Sequence, residues 1–259
     1  MKNSIAKPVR AAAGAGKERL DVLLTQRGVF ESRERAQASI MAGVVRVEGQ
    51  PATKPGMKYP ADAEIDVAED VLKYVGRGGL KLEKALDAWG IELSGSVCAD
   101  IGASTGGFTD LMLQRGARKV YAIDVGYGQL DWKLRNDPRV VNLERTNIRY
   151  IDPALIDEAP TFISIDVSFI SLKLVLPVAV SLLAQGGQIV ALIKPQFEAE
   201  RHQVGKKGVI RDASVHREVI GKVRGYASEN GLAVADVIES PITGAKGNIE
   251  YLMRCARAV

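Results

Sequence analysis

With 259 residues the chain can form one large domain or two of ordinary size, and 46% hydrophobic residues supply a sizeable core. Net charge is +4 but uneven: residues 1–60 hold eleven Lys/Arg against five Asp/Glu, hence +6, and residues 61–259 hold 24 against 26, hence −2. Two cysteines and two histidines exclude a disulfide-built fold and a zinc cluster, and no apolar run reaches the ~20 residues of a membrane span.

A basic front ahead of a near-neutral remainder points to a polyanionic partner for the front. Cys98 and Cys255 lie in apolar, strand-like runs. Buried reduced thiols are expected there, and with them a cytoplasmic location. No signal-peptide core is visible at the N-terminus.

Residues 1–16 read as a disordered basic leader. From Lys17, Leu20, Leu23, Leu24 and Val29 suit a short helix ending near Gly28. Ser32 is an N-cap candidate for a second helix that Gly43 closes. Val44 to Val47, a turn at Glu48 to Pro51 and Ile65 to Val67 complete a small sheet. Residues 17–67 therefore form one α+β module. Residues 68–79 are a connector, with Gly76, Gly78 and Gly79 allowing reorientation. A helix follows, with Leu80, Leu82, Ala85, Leu86 and Trp89 on one apolar stripe. Lys81 and Lys84 lie near its start, where the helix dipole does not favour cations, so both are expected to face solvent unless function says otherwise.

Residues 80–259 alternate strand and helix patterns. Val97 to Asp100 is the first strand, and Gly102, Ser104, Gly106, Gly107 and Phe108 form the glycine-rich turn into a helix. The loop is not GxGxxG, and Asp100 at the strand end would sit badly beside a pyrophosphate. It suits a ligand with an ammonium and a sulfonium, such as S-adenosylmethionine; the same glycines also fit a plain turn. Asp124, at the end of the second strand (Lys119 to Asp124), is placed to accept two ribose hydroxyl bonds. Further strands are expected at Val140 to Leu143, Phe162 to Asp166 and Gln188 to Ile193, with helices at about Leu172 to Leu183 and Arg217 to Asn230. Ala233 to Glu239 and Glu250 to Cys255 would close the sheet as an antiparallel pair. This is an α/β plan of seven strands with Asp100, Asp124, Asp166 and Lys194 on the carboxyl edge, where open sheets bind ligands. Lys194, after an apolar strand and before Pro195, is placed to be partly buried. Glu250 starts the last strand.

Two resemblances sharpen these readings. Arg19-Leu20-Asp21, Ser32-Arg33, Ala36, Ile40, Gly43, Val45 to Gly49 and Lys54 resemble the S4-like RNA-binding domain. That implies RNA docking through the helix carrying Arg33 and Arg35, with Arg19, Arg46 and Lys54 as further contacts. From Lys17 to the end, the chain resembles the TlyA family, S4-fused relatives of the FtsJ-type ribose 2′-O-methyltransferases. The matching stretches are Arg77 to Leu82, Asp100 to Phe108, Ile165 to Leu172, Lys194 to Glu198 and Gly247 to Tyr251. The resemblance implies a class I methyltransferase fold and S-adenosylmethionine as cofactor. It also implies a catalytic tetrad of Lys81, Asp166, Lys194 and Glu250, and a cofactor region of Asp100, Gly102, Gly106, Gly107, Phe108, Asp124 and Asp166. Lys84 is not the family position. The implied substrate is a cytidine of ribosomal RNA, 23S before 16S, as naked RNA or within a subunit. Lys194 is then a candidate base for the 2′-hydroxyl, or with Lys81 it only orients that oxygen; an ordinary lysine, with a pKa near 10.4, would first have to lose its proton to act as a base. Two other classes stay open: the hemolysin label that family members also carry, and a non-enzymatic rRNA-binding assembly factor.

Overall fold

The computed structural model describes residues 16–30, 32–41, 43–67, 73–205 and 208–257. Apart from Gly16, the expected basic leader lies outside the described residues, as does the start of the connector, 68–72. The chain divides into two compact units, 1–77 and 78–259.

In the first unit β1 (Lys17–Arg19) leads into α1 (Leu20–Gln26), and α2 (Arg33–Met41) follows. Then come β2 (Val45–Val47), β3 (Gln50–Pro51), β4 (Lys58–Pro60) and β5 (Ile65–Val67). The strands pair as a β3-β2-β5 sheet and a separate β1-β4 ladder. Ser32 caps α2 as its sequence position implies: its Oγ accepts from the Arg35 amide at 3.2 Å. Leu20, Leu24, Ile40, Val45, Val47 and Ile65 are among the residues forming the core between helices and sheet.

Among the described residues of this unit one acid is buried. Asp21 is buried, and its carboxylate accepts from Arg19 Nε and Nη2 at 2.9 Å each, Arg33 Nη2 at 3.2 Å and Gln37 Nε2 at 2.7 Å. These partners, the Arg19 hydrogen bonds first, outweigh desolvation and hold the Asp21 carboxyl well below the usual carboxylate range. The two arginine side chains stay 42% and 51% exposed. A single buried acid thus fixes two guanidinium groups that still reach water.

The second unit opens with α3 (Gly78–Trp89). Gly78 and Gly79 belong to its first turn rather than to a connector. Next come β6 (Val97–Ile101), α4 (Gly107–Gln114), β7 (Lys119–Ile123), α5 (Trp132–Arg135) and β8 (Val140–Leu143). They are followed by β9 (Phe162–Ile165), α6 (Leu172–Leu182), β10 (Gln188–Ile193), α7 (Pro195–Glu198) and α8 (Ala213–Glu229). The hairpin β11 (Leu232–Glu239) and β12 (Tyr251–Arg257) ends the unit.

The sheet order is β11-β12-β10-β9-β6-β7-β8. β6 to β10 are parallel, and β12 runs antiparallel between β10 and β11. All five residues of β6 and of β10 from Ile189 onward are buried, as expected for parallel strands covered on both faces. β6 neighbours β9 rather than its successor in sequence on one side, so the chain reverses direction across the sheet there. The reversal opens a crevice at the carboxyl ends of β6 and β9.

The Asp21 cluster carries a pH signature. Its contribution is complete above the ordinary aspartate pKa, about 3.9, and is lost as pH falls through the depressed folded value. Asp21→Asn is expected to lower stability by about 1–3 kcal/mol at neutral pH. In urea denaturation the gap to wild type should close as the pH drops well below 4.

Candidate active site

Four ionisable side chains meet where β9 and β10 end. Asp166 follows β9, Lys194 follows β10, Lys81 comes from the first turns of α3, and Glu250 immediately precedes β12. Lys194 Nζ lies 2.6 Å from Asp166 Oδ1. Lys81 Nζ lies 3.8 Å from Asp166 Oδ2 and 2.7 Å from Glu250 Oε2. The order Glu250–Lys81–Asp166–Lys194 alternates in sign and sums to zero. Lys81, Lys194 and Glu250 are buried, and alternation is what makes that burial tolerable, since each charge faces an opposite one. Lys194 Nζ also donates to Ser168 Oγ at 2.9 Å.

Local sequence explains how each group arrives. Pro195 starts α7 and fixes the chain just after Lys194. Gly244 makes room for Glu250: a Cβ there would fall 1.9 Å from Glu250 Oε1. Asn248 is buried; its Oδ1 accepts from the Ile210 amide at 3.1 Å and its Nδ2 donates to the Gly208 carbonyl at 2.9 Å. That amide anchors the turn from which Glu250 enters.

Beside the tetrad runs a cleft of about 730 Å³ whose walls include Gly102, Ser104, Asp124, Asn147, Asp166 and Phe169. Gly102 has φ +89°, and a Cβ on it would lie 2.4 Å from the Asp166 carbonyl oxygen, so no other residue allows β6 and the β9 loop to approach this closely. Asp124 accepts from the Ser104 amide at 2.8 Å through Oδ2 and from the Gly126 amide at 2.7 Å through Oδ1. Each oxygen keeps a second lone pair for a ligand hydroxyl. The ionisable wall residues are Asp124, Asp166 and Arg149, an acidic surplus suited to a cationic ligand. Phe169 is 91% exposed and sits at φ +63°, a conformation an aromatic residue rarely adopts.

Several sequence expectations are corrected. Asp100 is not at the strand end and does not face the cleft: β6 continues through Ile101, and Asp100 is fully buried. Its Oδ2 accepts from Thr109 Oγ1 at 2.7 Å and its Oδ1 from Ser164 Oγ at 3.2 Å. Burial, aided by the charge of Asp166 and opposed by those two bonds, pushes its carboxyl up to about 7. Phe108 is also a core residue, its ring near Gly78 of α3. Gly106 caps α4 with φ +97° and Gly107 begins it; both shape the turn and neither lies on the cleft wall. Of the two lysines of α3 expected in solvent, Lys84 is exposed, whereas Lys81 is buried among acids. Ser168, Phe169, Asn147 and Arg149 escaped sequence reasoning. Ser168 and Phe169 stand in the stretch after Asp166, which was the available signal.

Comparison with known proteins fits this geometry. The FtsJ-like methyltransferase family matches residues 74–257, and the S4 domain matches residues 18–65. YqxC of Bacillus subtilis, provisionally named an rRNA methyltransferase, is 52% identical over 92% of this chain and 85% of its own length. The 16S/23S rRNA (cytidine-2′-O)-methyltransferase TlyA of Mycobacterium tuberculosis is 45% identical over 92% of this chain and 90% of its own. A solved structure from Streptococcus thermophilus, provisionally described as a hemolysin, is 48% identical over 95% of this chain and 90% of that one, with a TM-score of 0.76.

The burial of Asp100 has a measurable consequence. The unfolded chain gives up this proton near pH 4, whereas the folded protein keeps it to about pH 7, so stability falls as pH rises across that window. Asp100→Asn is expected to remove this part of the slope in stability against pH between 4 and 7. An unchanged slope in chemical denaturation would place the proton elsewhere.

Proposed function

The chain belongs to the FtsJ-like methyltransferase family, in its S4-fused TlyA branch, and on that premise we propose that it methylates a ribose 2′-oxygen of ribosomal RNA with S-adenosylmethionine as donor. The observation that carries this reading is the convergence of Lys81, Asp166, Lys194 and Glu250 beside an acidic cleft at the sheet's switch point. The proposed substrate is a cytidine, 23S rRNA before 16S, and an rRNA substrate supports a cytoplasmic location.

The cleft fits the donor. Asp124 would take the two ribose hydroxyls, the Gly102–Ser104 backbone would border the ligand, and Asp166 would face its positive end. When bound, S-adenosylmethionine supplies a methyl group on a positively charged sulfur.

The protein's contribution is alignment and charge. An ammonium has three protons. Lys194 gives one of those to Ser168, and its Nζ lies in ion-pair contact with Asp166 Oδ1, an oxygen that accepts no aligned hydrogen bond among the described residues. A remaining N–H of Lys194 would hold the 2′-oxygen in line with the methyl group. The contact with Asp166 restrains where Lys194 Nζ points, which supports orientation over a free general base. The 2′-hydroxyl proton would leave late, passing to water once bond formation has made the oxygen positive and acidic. Asp166, between the two lysines, fixes the direction of both, and Glu250 neutralises Lys81 on its far side. The exposed ring of Phe169 offers a stacking face for an unpaired base at the cleft mouth.

The front unit would grip RNA. Arg19 and Arg33, held by Asp21 yet half in water, are the proposed phosphate contacts, with Arg35, Arg46 and Lys54 as further ones. The hemolysin description of the Streptococcus thermophilus structure gains no comparable support: among the described residues no helix is long and apolar enough to cross a membrane.

Lys194→Ala is expected to lower methyl transfer to rRNA by at least about 100-fold, the scale of lost alignment. Calorimetry should show donor affinity unchanged. Lost donor affinity would make Lys194 a cofactor residue, and full activity would remove it from the mechanism. Mapping 2′-O-methyl groups in rRNA from cells with and without the protein tests the substrate; identical maps would refute the reading.

A further inference from the structure

Glu198 is a buried acid that the proposed reaction does not use. It closes α7, four residues after Lys194. Its Oε2 accepts from Ser171 Oγ at 2.6 Å, and its Oε1 accepts from the Leu172 amide at 2.7 Å. Those partners are the N-cap and first residue of α6, so the carboxylate also meets the positive end of an eleven-residue helix.

Two segments are thereby joined at three levels. Lys194 contacts Asp166 and Ser168 at the start. Phe197 packs on Phe169 in the middle, ring centroids 4.9 Å apart. Glu198 holds Ser171 and Leu172 at the end. Between the outer levels, Phe169 keeps its left-handed φ, a strained conformation that persists only where its surroundings impose it.

We propose that Glu198 is a positioning residue: by locking segment 166–172 against segment 194–198 it sets the Lys194–Asp166 geometry and holds Phe169 at the cleft mouth. Without it segment 166–172 keeps the Phe169–Phe197 contact and the Lys194 contacts, and the latter must also serve the substrate. The kinetic part rests on the methyltransferase reading above; the structural part does not.

The test compares Glu198→Ala and Glu198→Gln in the full chain. A displacement of about 1 Å at a reacting group costs on the order of 100-fold, so kcat for rRNA methylation should fall by about that factor in Glu198→Ala. The KM for the methyl donor should stay within about twofold, since that binding is not what was removed. Glu198→Gln keeps an oxygen for the Leu172 amide and should recover about tenfold of the loss. Amide hydrogen exchange over 166–172 should speed up in Glu198→Ala while the core strands keep their protection. Wild-type kcat in Glu198→Ala overturns the proposal, as does loss of donor affinity in step with turnover. A wild-type protein with no methyl transfer refutes the methyltransferase reading instead, and exchange alone then decides: unchanged exchange over 166–172 overturns the lock, and a rise confined there supports it.

Discussion

Two lysines and two carboxylates can share a buried pocket only in alternation. Removing any one ion from water costs several kcal/mol, and an opposite charge at contact distance must offset it. The chain Glu250–Lys81–Asp166–Lys194 meets that condition with three contacts and no net charge. Each member also needs the others, so four remote segments must be in place together. Much of the second unit is arranged to that end: glycine at 244 so that Glu250 fits, glycine at 102 so that the β9 loop comes close, and proline at 195 directly behind Lys194.

The cleft and the tetrad divide the labour. Asp124 is braced by two backbone amides on the β7 side of the switch point, and the four side chains proposed as reacting groups gather around the ends of β9 and β10. Asp166 belongs to both, lining the cleft and contacting both lysines. Asp100, one strand position away from the glycine turn, does neither. Its carboxyl ties β6 to α4 and β9 through Thr109 and Ser164, which makes it part of the floor under the site.

The front unit uses the same physics toward a different end. A buried carboxylate there is surrounded by two guanidinium groups, so charge is left over. The surplus is positive and half exposed, and it lies within the strongly basic first sixty residues. Where the second unit cancels charge among its four clustered side chains, the first keeps a net charge in fixed geometry, which suits the proposed recognition of a phosphate backbone by shape.

Local pattern determined most of the architecture. The strands Val140–Leu143 and Gln188–Ile193 have the bounds that their apolar runs imply, and Ser32 caps the helix it precedes. The motif stretches after β6, β9 and β10 also stand in the sequence itself, because a strand end, a glycine turn and a Lys-Pro step are short-range features. What tertiary structure decided is which side chains turn inward. Lys81 and Glu250 are 169 positions apart, and helix-dipole reasoning alone favoured solvent for Lys81. The acids that bury it come from the loop after β9 and from the turn before β12. Asp100 was misjudged for the converse reason: its surroundings are a threonine on α4 and a serine on β9, and these made it an interior group. Burial and charge pairing are sums over neighbours in space, and a sequence orders its residues along a line.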